Sequence, residues 1–132
     1  MTGVGRFLAV GLALGASATS ACGIDLIESP GWTRTAWSET ESRLNVAIIW
    51  RGDRPFQRLD GSISISNPEG EVLGSFDFVE NSLTPPSYSF RVEGRFLGEA
   101  VPEIEALSAE QSNVSICLSR VVWDSGEETV LQ

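Results

Sequence analysis

The 132-residue chain carries nine arginines and no lysine or histidine against eighteen Asp and Glu, a formal net charge of −9. That composition removes the imidazole base, the imidazole metal ligand and the Schiff-base amine, and so acidic a surface repels nucleic acid and anionic lipid headgroups. Its length and its 42% hydrophobic content suit one globular domain with a modest core.

The first segment reads as an address. Arg6 is the only charged side chain before Asp25, and an apolar run, Phe7 to Leu14, follows it. Small residues come next, Ala16-Ser17-Ala18-Thr19-Ser20-Ala21, and then Cys22. This is the layout of an export signal: a positive start, a short apolar stretch and a small-residue cleavage region. The apolar stretch falls short of the ~20 residues that span a bilayer. Residues 1–21 are therefore expected to be a signal and residues 22–132 the mature domain, with eight arginines against eighteen acids and a net charge of −10.

Thr19-Ser20-Ala21-Cys22 resembles the lipobox of bacterial membrane lipoproteins, with small residues before the cysteine and Gly23 after it. Thr19 departs from it, since that family usually places an aliphatic residue there. The resemblance implies a lipid on Cys22 and a place in the bacterial cell envelope, anchored to a membrane. An alternative is cleavage after Ala18 and a Cys22–Cys117 disulfide in an oxidising compartment, which makes the protein periplasmic or secreted. Strand parity favours the first account. Cys117 alternates with Ser115 and Ser119, whereas Cys22 shares parity with Ile24 and Leu26, so the two sulfurs are expected on opposite sides of the sheet.

The body reads as short strands separated by turns. After a segment at 23–28, Leu44, Val46, Ile48 and Trp50 mark a strand at 43–50, closed by Arg51-Gly52-Asp53-Arg54-Pro55. Ile63 and Ile65 alternate with serines in a strand at 59–66. Asn67-Pro68-Glu69-Gly70 then fits a type I turn into a strand at 71–79, where Val72, Phe76 and Phe78 are expected to share a face. Residues 81–86 are expected to form a loop, since consecutive prolines cannot supply ladder donors. Tyr88, Phe90 and Val92 mark a strand at 87–93, and 102–107 reads either as a strand or as helical turns. Val114, Ile116 and Leu118 define the inner phase of the last long strand, 113–123. Seven strands at this spacing indicate an all-β, immunoglobulin-like sandwich. Ile48, Trp50, Ile63, Ile65, Phe76, Phe78, Phe90 and Ile116 are its expected core.

No residue constellation indicates catalysis, a metal or a cofactor. Asp53, Asp60, Glu127 and Glu128 lack the close alternating spacing of a calcium loop. Trp50 belongs to a core phase. Trp32 and Trp37 either cover an end of the sandwich or form a contact patch, and Trp123, on the parity opposite the core, is expected to be exposed with Val121. Trp32, Trp37 and Trp123 are thus the candidate partner contacts. Arg91, Arg95 and Arg120 are expected to pair within the chain, with an acidic partner as the alternative. The sequence therefore points to a non-catalytic binding or structural module on an unidentified envelope partner, with no nucleic acid. The alternative is a soluble chaperone or inhibitor offering a sheet edge.

Overall fold

In the computed structural model, which describes residues 21–81 and 88–131, the alternating pattern of Leu44, Val46, Ile48 and Trp50 becomes the middle strand of a sheet. This strand, β2 (Glu41–Trp50), lies between β1 (Ile27–Ser38) and β5 (Ser89–Leu97). A second sheet has the order β4 (Val72–Asn81), β3 (Phe56–Ser66), β6 (Asn113–Trp123) and β7 (Glu128–Val130). All pairings are antiparallel. The two sheets form an immunoglobulin-like sandwich of seven strands among the described residues. The expected export signal at 1–21, apart from Ala21, and the expected loop at 81–86, apart from Asn81, lie outside the described residues; Asn81 ends β4 rather than opening the loop.

The core fills from both inner faces. Ile48, Trp50, Ile63, Ile65 and Phe78 are buried, while Phe76, Phe90 and Ile116 are half-buried against the same cluster. At one end Trp50 meets Phe56 edge-on at 4.9 Å between centroids and Trp123 at 5.9 Å. Such offset pairs add to burial because ring edges and faces carry opposite partial charge. The Asn67 turn forms as its residues dictate. Gly70 N–H donates to the Asn67 carbonyl at 2.9 Å, and Asn67 Oδ1 accepts from the backbone N–H of Glu69 and Glu71 at 3.1 and 2.9 Å.

Three strand assignments change. The first strand starts at Ile27 and runs through both tryptophans to Ser38, because β1 is an edge strand and shows no sustained apolar alternation. The ambiguous stretch forms a helix, α1 (Val101–Ala106), whose Val101 and Ile104 lie one turn apart and are both buried. The seventh strand is instead β7, which pairs with Arg120–Val122.

Two bulges change which side chains face inward. Leu73 is the extra residue opposite Ile65 and Ser66, so Leu73 packs against the core and Val72 is exposed, contrary to the expected phase. In β6 the pairing steps from Gly61↔Leu118 to Asp60↔Arg120, which leaves Ser119 unpaired. An inserted residue reverses the alternation beyond it. Leu118 therefore faces inward before the bulge, and Val121 and Trp123 face inward after it.

Candidate functional site

The bulge at Ser119 removes Trp123 from the contact candidates. Trp123 is 8% exposed, and its Nε1–H donates to Thr129 Oγ1 at 2.9 Å. Trp32 is half-buried against the core and borders a cleft of about 600 Å³ with Gly31, Thr33, Arg34, Ala109 and Glu110. Trp37 is 57% exposed. It shares the outward phase of Thr33 and Thr35 on the β1-β2-β5 sheet and is the extra residue between Ala36 and Ser38, with the Arg43 guanidinium 3.5 Å from its ring centroid. The three tryptophans therefore do not form one patch.

The two cysteines are joined. Cys22 and Cys117 form a disulfide with their Cα atoms 4.3 Å apart, closing a sequence separation of 95 residues. Cys117 does face outward, opposite Ser62, as parity indicates. The error lay at Cys22, which sits in a short turn with φ 65° rather than in a strand, and is followed by Gly23 at φ 59°. Period-two alternation has no meaning across left-handed residues. The turn packs against Leu118 and Leu131. In this structure the Cys22 sulfur is bonded to Cys117, and a thioether lipid on Cys22 would require that bond to be absent.

The sheet edges are unequally protected. Strand β1 carries two register shifts, Pro30 and the inward-pointing Arg34, which donates to the Leu107 carbonyl at 2.8 Å and to Ser112 Oγ at 3.2 Å. Arg34 escaped the sequence reading because its phase was not visible without the start of β1. Such irregularities and buried charges block strand addition. Strand β7 has only three residues. Where β4 meets β5, the rings of Phe76 and Phe96 lie over Gly94 and Gly74 and fill the space between the two sheets.

Charge is distributed just as unevenly. On the face opposite the sandwich from Trp37, Arg120 bonds to both Asp60 and Glu128 at 2.9 Å. Burial pushes the Asp60 carboxyl up, but hydrogen bonds and charges from Arg58 and Arg120 outweigh it and hold the group below its ordinary range. The paired role expected of Arg120 is met. Arg91 instead donates to Asn45 Oδ1 at 2.9 Å, and Arg95 reaches Glu41 at 3.9 Å. The outer face bounded by Trp37, Leu97 and Arg91 thus holds Arg43, Arg91 and Arg95 with Glu41 and Glu93, whereas the rest of residues 22–132 has five arginines against sixteen acids. That face is +1 on a domain otherwise at −11.

Among the described residues no helix is long and apolar enough to cross a membrane, and no cluster of three or more His, Cys, Asp or Glu could hold a metal. The chain matches no model of a known protein family and no curated protein.

Proposed function

We propose that this protein is an exported, disulfide-stapled recognition module that acts by binding a partner in or beyond the cell envelope rather than by catalysis. The Cys22–Cys117 bond carries the reading, because such bonds persist in oxidising compartments and staple small domains there. The export-type start, Arg6 to Ala21, supports the same address. Recognition is supported by an exposed face built of arginine, tryptophan and leucine, of which Trp and Arg are enriched at binding hot spots. A face suits the module better than an edge at β1, which is guarded, or at β7, which has only three residues.

A lipid-anchored form is the second reading, carried by the Thr19-Ser20-Ala21-Cys22 run. It competes for one sulfur, so the two forms are distinguishable by mass. Intact-mass measurement of mature protein under non-reducing conditions should show a polypeptide lacking two hydrogens and any acyl group. An acylated species with Cys117 free would refute the stapled form, and substrate turnover by the purified domain would refute the recognition reading.

A further inference from the structure

We infer that the outer face of the β1-β2-β5 sheet binds an acidic peptide segment, one carboxylate of which seats between Arg43 and Arg95. This rests on the recognition reading and names the class of partner.

Arg43 and Arg95 are direct cross-strand partners in β2 and β5. Like charges placed opposite each other in a ladder destabilise it unless something lies between them. Here one carboxylate serves both: Glu41 is 2.6 Å from Arg43 Nε and 3.9 Å from Arg95 Nη1. Glu41 is therefore committed to Arg43, and Arg95, with a side chain 60% exposed, keeps most of its hydrogen-bonding capacity. Beside the pair, Arg43, Glu93, Gly94 and Arg95 line a notch of about 200 Å³. A ligand carboxylate entering beside Glu93 would take up the donors that Arg95 does not spend on Glu41, and guanidinium groups bind carboxylates through paired, charge-assisted hydrogen bonds.

The surroundings set the rest of the ligand. Trp37 and Leu97, both more than half exposed, lie at the end of this face next to the arginine pair. They offer apolar contact to a side chain flanking the carboxylate. Arg91 lies two rows further along β5, roughly 13 Å away at ~3.4 Å per residue, and can meet a second acid. Three strands ~4.8 Å apart and roughly 20 Å of their length give a footprint of about 300 Å². A standard protein interface takes ~800 Å² per partner, so the face suits one extended segment rather than a folded surface.

The probe is a short peptide alternating glutamate with leucine, compared with its lysine counterpart, on the oxidised mature domain at ~0.15 M salt. There the screening length of ~8 Å suppresses repulsion from the distant acidic surface but leaves contact pairs intact. Amide shifts should saturate on β2 and β5 with the glutamate peptide. Arg43→Gln and Arg95→Gln should each weaken binding about tenfold, the loss of one charge-assisted contact. Arg54→Gln, which removes the same charge beside Glu127, should change it less than about twofold. Each variant is first checked for an unchanged melting curve. Failure of the glutamate peptide to saturate, shifts mapping off this face, or an equal loss in Arg54→Gln would overturn the site. Binding of the lysine peptide alone would overturn it too, while leaving recognition itself intact.

Discussion

Gly94 should be intolerant of the smallest side chain, and the reason lies in the opposite sheet. A Cβ at Gly94 would sit 2.5 Å from Phe76 Cζ and closer still to the ring edge. The ring cannot simply rotate away, because Phe96 packs on it at 5.4 Å between centroids, and Phe96 itself lies 2.8 Å from where a Gly74 Cβ would be. Overpacking of this kind costs about 1–3 kcal/mol for Gly94→Ala. Phe76→Ala removes a half-buried ring and should cost about 2–3 kcal/mol, less than a fully buried phenylalanine. In the double variant the added methyl group enters the space the ring has left. The combined cost should therefore fall short of the sum by about 1–2 kcal/mol, within the range seen for residues in contact. Urea unfolding followed by tryptophan fluorescence measures all three variants. Strict additivity, or a Gly94→Ala midpoint equal to wild type, would show that the two side chains do not interlock.

Other expectations follow from the same geometry. Replacing both cysteines by serine should lower stability by about 2–5 kcal/mol in denaturant, since the bond closes a loop of nearly the whole domain; an unchanged midpoint would show that the bridge constrains nothing. Because the Asp60 carboxyl is held below its ordinary range, its stabilising contribution is present above pH ~4 and lost as pH falls through its folded-state value. Asp60→Asn should reduce stability at neutral pH and flatten the loss in acid, and parallel pH profiles for wild type and variant would contradict this. Thr129→Val should cost about 1 kcal/mol by orphaning the buried Trp123 N–H, measurable as a shifted midpoint.

Where a strand buries one face and stays regular, its residues announce it. Leu44 to Trp50 and Ile63 to Ile65 alternate cleanly, and their side chains lie where the pattern puts them. Legibility fails where the backbone departs from period two. Edge strand β1 exposes most of both faces, so nothing in Glu28 to Ser38 distinguishes it from a loop. The helix at Val101 buries Ile104 with Val101, three positions away, whereas a strand would bury it with residues two positions away, and the sequence offers Ala106 there. The arginine-rich face was only half visible. Arg91 and Arg95 share a phase in the sequence, but Arg43 joins them only through the register between β2 and β5.

The bulge at Ser119 shows how one unpaired residue separates two requirements. Cys117 must point outward to reach the N-terminal turn, and Trp123 must point inward to meet Trp50. Both positions are odd, so a regular strand would put them on the same face. With both side chains outward the core would lose a large aromatic group, and with both inward the sulfur would be turned away from Cys22. The extra residue at Ser119 resolves the conflict within β6 and leaves Arg120 facing Asp60 and Glu128 on the outside. A local irregularity thus joins the covalent staple to the aromatic core, and this explains why unbroken alternation misplaces Trp123, whereas the misplaced Cys22 traces to its left-handed turn.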